Sequence, residues 1–263
     1  AWLSDHTPPG EVLFLPDGSP FGSQPQVLVT ALGSAETGHS AMWLDMEGKK
    51  LHGAKIGGRG IAPSGVALAR DDGDNPDRNF YAYTLSGSAI RGLAAGEEPH
   101  PQFSKRYRQL AKVDMGGETP WNWMDKNRRV GFDVHNGVAA VSVPWQDRVR
   151  FIDLREDDGE RWELPIAGPR GVGFDERGDP YIATPEGLFV VAADAWAGGN
   201  ADADGARRLS ADLADPGRLI VHGPLALVAD FGKRHQVKHF DRRTGRLTGT
   251  TGAPGGPQLG RYD

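Results

Sequence analysis

The chain has 263 residues, no cysteine and a formal net charge of −5. Disulfides and cysteine-ligated metals are therefore excluded, and the acidic balance argues against a general nucleic-acid binder. No stretch approaches the roughly 18 apolar residues that a membrane-spanning helix needs. The 37 glycines and 19 prolines together exceed a fifth of the chain and separate short β-branched runs. This mixture predicts many short strands joined by tight turns.

In chain order, the first element is an irregular N-terminal unit over residues 1–61, which contains the strand-like stretches EVLFLPDG and QVLVTAL. Four segments then repeat one pattern: a turn, a short apolar strand, a polar turn and further strands. These segments cover 62–114, 127–166, 168–213 and 215–252. A period of about 40–50 residues that holds four strands is typical of a propeller blade. We therefore predict an all-β fold, a β-propeller of four-stranded antiparallel blades with about five blades visible.

The first strand of each repeat is expected to be the innermost one. These strands should centre on 66–69, 130–133, 172–175 and 219–222. Helical periodicity of any length is missing, and four-stranded blades leave no room for a helix longer than about three turns.

The last repeat reads LVADFGKRHQVKHFDRRTGRLTGTTGAPGGPQLG, with an Ala-Asp pair, a basic turn and a Phe-Asp-x-x-Thr-Gly sequence. In these features it resembles the NHL-type β-propeller repeat, and GVGFDERGDPYIATPEGLFVV resembles the first three strands of that repeat. The resemblance is clear over about 127–252 and loose over 1–126. It implies that the Gly/Pro segment 253–263 leads into a further blade. A six- or seven-bladed ring completed by a further chain segment or a homo-oligomer is then expected, and a complete five-bladed ring is the alternative.

Arginine recurs where the chain leads into the innermost strands. The resemblance to other propellers implies that these turns, and those between second and third strands, share the face whose central mouth binds ligands. The residues concerned are Arg128, Arg129, Arg148, Arg170, Arg218, Arg234 and His235. Guanidinium forks match carboxylate and sulfate oxygens, so an anionic ligand is expected. The alternative is pairing with neighbouring acids, for which Asp125, Asp147 and Glu186 are candidates.

Two tryptophans lie in the insertion between the first and second repeats. Trp121 and Trp123 are separated by one residue and are expected on the same face as the arginines. Exposed indoles offer flat apolar faces to sugar rings, so these residues are candidates for ligand binding. The alternative is that they fill gaps between blades.

The stretch DDGDNPD, residues 71–77, is dense in oxygen donors. Asp72, Asp74, Asn75 and Asp77 offer the ligand chemistry that calcium prefers. The spacing is not that of an EF-hand, and the segment is expected on the face opposite the arginines. It is therefore either a solvated turn or a structural calcium site, and no other cofactor is predicted.

Three functions are compatible with these features. The first is a secreted module, extracellular or periplasmic, that binds an acidic glycan or a similar small anion. The second is a polysaccharide lyase or a lactonase, in which His235 would act as a base and Arg170 and Arg218 would neutralise a carboxylate. The Glu, Asn and Asp metal ligands of SMP-30/gluconolactonase-type lactonases have no counterparts here. The third, implied by the NHL resemblance, is a protein–protein interaction scaffold.

Overall fold

A computed structural model describes ten stretches of the chain. They are residues 9–15, 25–31, 41–54, 63–68, 80–94, 107–116, 129–155, 161–194, 205–233 and 235–252. Within them, twenty strands form five four-stranded sheets, and neighbouring strands in each sheet are consecutive in sequence. The predicted all-β fold of four-stranded antiparallel sheets is therefore confirmed. No helix in these stretches reaches three turns, and none is long and apolar enough to cross a membrane.

The chain divides into two compact units. The first comprises the described residues of 1–128, 134–138 and 153–160, and the second those of 129–133, 139–152 and 161–263. Two sheets belong wholly to the first unit. Their strands are β1 (Pro9–Leu15), β2 (Gln26–Ala31), β3 (Ala41–Leu44), β4 (Lys50–Ala54), β5 (Pro63–Leu68), β6 (Phe80–Ser86), β7 (Ala89–Ala94) and β8 (Tyr107–Lys112). The first strands of the two sheets, β1 and β5, lie side by side.

The remaining three sheets lie in the second unit, except that residues 134–138 and 153–155 of the third sheet belong to the first unit. The strands are β9 (Phe132–His135), β10 (Val138–Val143), β11 (Arg148–Asp153), β12 (Arg161–Pro165), β13 (Gly171–Phe174), β14 (Pro180–Thr184), β15 (Gly187–Val191), β16 (Ala206–Ser210), β17 (Pro216–His222), β18 (Leu225–Asp230), β19 (Gln236–Asp241) and β20 (Leu247–Thr251).

Aromatic and branched side chains fill the core of the second unit. Phe132, Phe151, Phe174 and Phe240 are fully buried, and Phe151 stacks on Trp162 with ring centroids 6.1 Å apart. Burial of each such side chain stabilises the fold by about 1.5–3 kcal/mol. On β17 the pattern alternates, because Leu219 is buried while its neighbours are more exposed. β17 thus packs one face against the core and presents the other to solvent, whereas all four residues of β13 are buried.

Glycines allow the first strands of the second unit to approach one another closely. A Cβ atom at Gly131 would lie 2.4 Å from the backbone nitrogen of Val172, and one at Gly171 would lie 2.3 Å from the carbonyl oxygen of Gly217. A residue with a side chain does not fit at either position. β9, β13 and β17 therefore lie next to each other, and the residues just before them are brought together.

Candidate functional site

Five residues of the second unit are linked by direct contacts near the starts of β9, β13 and β17 and the end of β18, and a sixth, Arg218 on β17, donates to Phe132 on β9. We call them the arginine site: Arg129, Arg170, Arg218, Asp215, Phe231 and His235. Four of them were candidates on sequence grounds, whereas Asp215 and Phe231 were not.

Hydrogen bonds hold the backbone of Arg170 in place. Its backbone N–H donates to the carbonyl of Ala183 at 2.9 Å, and its own carbonyl accepts a 2.8 Å hydrogen bond from the Ser142 hydroxyl. The Ser142 oxygen also accepts a hydrogen bond from the backbone N–H of Gly131, which ties β9 to the same point. The side chain is only 11% exposed, and its Nη1 donates to Asp215 Oδ1 at 3.0 Å.

Arg129 approaches the same carboxylate from the start of β9. Its Nη1 donates to Asp215 Oδ2 at 3.3 Å, and its guanidinium carbon lies 4.0 Å from the centre of the Phe231 ring. A guanidinium has five N–H donors, and among the described residues Arg129 uses one of them in a hydrogen bond. Two guanidinium groups thus share one carboxylate, and this group of three carries a net charge of +1.

The shared acid is itself held in place. The backbone N–H of Asp215 donates to Asp230 Oδ1 at 2.7 Å, and the carbonyl of Asp215 accepts from the backbone N–H of Phe231 at 2.8 Å. The other oxygen of Asp230 pairs with Lys238 Nζ at 2.9 Å. Asp215 is therefore positioned by a second, buried ion pair.

That buried pair is ionised. Burial raises the pKa of Asp230, but the hydrogen bonds from the Asp215 backbone and from Lys238 outweigh it and hold the pKa below its usual value. Burial likewise lowers the pKa of Lys238, yet the bonds to Asp230 and Asp212 leave that pKa raised. Both groups are charged at neutral pH and support the site without changing its net charge.

Arg218 and His235 complete the site. Arg218 Nη1 donates to the carbonyl of Phe132 on β9 at 2.7 Å. His235 is exposed and has a φ angle of 47°, and its ring meets Phe231 edge-on with centroids 6.5 Å apart.

The other candidates from the sequence either have different partners or lie outside the described residues. Arg148 forms an ion pair with Glu163 and donates through Nε to the carbonyl of Gln146, so its described partners are not those of the arginine site. Among the suggested acids, Asp147 accepts from the backbone N–H of Gly168, and Glu186 is exposed. Arg128, Arg234, Trp121, Trp123, Asp125, Asp72, Asp74, Asn75 and Asp77 lie outside the described residues. In the described stretches, no group of three histidine or acidic side chains is arranged to hold a metal.

No family model matches the sequence, and no curated protein matches it. Solved structures do match. A chain of a nidogen–laminin complex aligns over 86% of this chain and 74% of its own length, with a TM-score of 0.57 and 13% identity. Virginiamycin B lyase from Staphylococcus aureus aligns over 94% and 74%, with a TM-score of 0.53 and 9% identity. PorZ, a surface component of the type-IX secretion system of Porphyromonas gingivalis, aligns over 95% of this chain and 26% of its own, with a TM-score of 0.52 and 14% identity.

Identities this low establish the fold alone. The nidogen–laminin and virginiamycin B lyase structures are β-propellers, and the four-stranded sheets of this chain fit blades. The protein is therefore of the β-propeller class. The more specific NHL assignment stays a proposal that rests on the repeat sequence.

Proposed function

We propose that this protein is a binding module that holds an anionic ligand, an acidic carbohydrate in particular, at the arginine site. The observation that carries the proposal concerns the guanidinium of Arg129. This group is held between Asp215 and Phe231, and one of its N–H donors forms a hydrogen bond with a described residue. A ligand carboxylate or sulfate would accept bonds from the other donors. A glycan ligand of this kind implies an extracellular or periplasmic location.

Electrostatics support an anion at this place. Arg129 and Arg170 both pair with Asp215, so two positive charges meet one negative charge at this carboxylate. Like charges held together repel one another unless a counter-charge is supplied. A bound anion supplies it, so binding should relieve repulsion as well as form hydrogen bonds.

The proposal predicts that Arg129→Ala weakens binding of a tri-galacturonate by about 10- to 100-fold, the usual worth of hydrogen bonds to charged groups. Titration calorimetry at low and high salt measures the affinity, and the difference between variants should shrink as salt screens the charges. Arg246→Ala is the matched control, since Arg246 is exposed and lies in the β19–β20 turn. Equal affinities for wild type, Arg129→Ala and Arg246→Ala would reject the site, as would equal affinity for a neutral galactose trimer.

A lyase is the second candidate, and one observation favours it. His235 holds a left-handed backbone conformation next to the arginines, and non-glycine residues in that region concentrate at functional sites. If His235 removes a proton from a uronate, ultraviolet absorbance of unsaturated uronides should rise with wild-type protein and not with His235→Ala. A flat absorbance trace with bound ligand leaves the binding module as the function.

A further inference from the structure

We propose that Phe231 makes the arginine site selective for anions carried on a ring. The inference rests on the proposed anion-binding function and adds to it the class of ligand. It assigns a specificity role to a residue that the repeat pattern does not single out.

Phe231 differs from the buried phenylalanines of the same unit. Phe132, Phe151, Phe174 and Phe240 are fully buried, whereas Phe231 is 41% exposed. The exposed part of the ring leaves apolar surface in water beside the Arg129 guanidinium. A ligand that covers the ring would remove this apolar surface from water.

The ring is also held still. The Arg129 guanidinium covers one face at 4.0 Å from the ring centre. A Cβ atom at Gly217 would lie 2.4 Å from Cε2 of the ring, so the ring rests against the bare Cα of that glycine. His235 meets the ring at an interplanar angle of 82°. Three residues thus contact the ring while it remains 41% exposed, so a ligand that packs on the exposed part loses little entropy in ordering the side chain.

Arg129 links the recognition of an acid group to the recognition of a ring. The same guanidinium that caps Phe231 offers its donors to an anion, so an acid group and a flat apolar surface are recognised side by side. A uronate residue carries its carboxylate directly on a sugar ring, and the C–H face of such a ring packs on aromatic surfaces. An acidic peptide offers equal charge on flexible side chains and has no such face.

The test compares two probes of equal charge: tri-galacturonate and tri-glutamate with acetylated and amidated ends. Wild-type protein should prefer the ring-bearing probe by about tenfold. Phe231→Ala should reduce that ratio to near one while affinity for tri-glutamate changes by less than about threefold, because the arginines remain. Phe231→Tyr should keep the ratio. Phe14→Ala, which removes an exposed phenylalanine of the first unit, is the control.

Each outcome decides one of the two proposals. A ratio that is the same in wild type and Phe231→Ala overturns the role of Phe231 and leaves anion binding intact. Failure of wild-type protein to bind either probe overturns the anion-binding function itself. If Phe231→Ala has an altered melting temperature, Phe231→Leu gives the same comparison, since it keeps apolar volume without a flat ring. A Phe231→Leu variant with full ring preference rejects the inference.

Discussion

Replacing Arg242 with alanine is expected to lower the free energy of unfolding by about 3–5 kcal/mol, the usual cost of removing one partner from a buried ion pair. Arg242 lies in the turn between β19 and β20 and pairs with Asp175, whose side chain is only 2% exposed. Without the guanidinium, the buried carboxylate keeps the backbone N–H donors of Arg177 and Asp179 but loses the cation that pairs with it. Urea denaturation followed by tryptophan fluorescence measures the change.

The expected loss of unfolding free energy is large because the Arg242 guanidinium bonds four residues, which belong to the preceding sheet or to its own sheet. Besides Asp175, Arg242 pairs with Glu176 at 2.8 Å, donates through Nε to the Tyr181 hydroxyl at 3.2 Å and bonds the carbonyl of Gly223. Arg243→Ala is the matched control, because Arg243 is adjacent and exposed. Equal stability of the two variants would contradict a structural role for this network.

The same network predicts a pH dependence. The hydrogen bond from Arg242 lowers the pKa of Glu176 from 4.5 to about 2. Because the folded-state pKa is depressed, this contribution is present above about pH 4.5 and is lost as the pH falls towards 2. Glu176 is largely exposed, so solvent screening keeps the contribution small. The stability difference between wild type and Arg242→Ala should therefore narrow over that pH range, and a difference that widens there would contradict the assignment.

The sheets could be predicted from sequence because strand and turn signals are local. Alternating apolar residues and glycine turns recur within each repeat, and the repeats gave the number of visible sheets correctly. The exact strand limits depend on partners in the sheet: β9 spans Phe132–His135 where a strand centred on 130–133 was expected, and β17 spans Pro216–His222 where one centred on 219–222 was expected. The N-terminal segment was expected to supply an irregular blade, and β1–β4 within it form a sheet whose strands follow chain order.

The arginine site could be predicted only in part. Arginines before the first strands stand out as a repeated feature, but their partner does not, because Asp215 is 86 residues from Arg129 and 45 from Arg170. Such a pairing depends on how closely β9, β13 and β17 approach one another. Phe231 does not stand out in the sequence for another reason: it lies within Ala-Asp-Phe-Gly, a stretch that reads as part of the repeat. Sequence alone did not distinguish it from a core residue.

The close approach of β9, β13 and β17 matters both for folding stability and for the geometry of the arginine site. Asp215 can bond two arginines only while the starts of β9 and β13 lie near that of β17. Side-chain bulk between the strands should therefore reduce both folding stability and ligand affinity. Gly171 is the position where this can be tested most directly.

Gly171→Val is expected to lower the free energy of unfolding by about 3 kcal/mol or more, at the upper end of the cost of overpacking. Its Cβ atom would lie 2.3 Å from the carbonyl oxygen of Gly217 and 2.8 Å from Cβ of Leu219, which is 1% exposed. Neither atom belongs to the flexible end of a side chain, so relief requires β13 and β17 to move apart. That movement would also lengthen the bond from Arg218 to the Phe132 carbonyl across β13.

Gly249→Val is the matched control for this substitution. Gly249 lies on the outer strand β20, where the nearest atom to an added Cβ is His239 Nδ1 at 3.6 Å, an ordinary contact. Its stability should change by less than about 0.5 kcal/mol, as is usual for surface substitutions. Gly171→Ala should fall between the two, because it adds the clashing Cβ without the branches. A Gly171→Val protein that unfolds at the same urea concentration as Gly249→Val would show that β13 and β17 do not approach as closely as the arginine site requires.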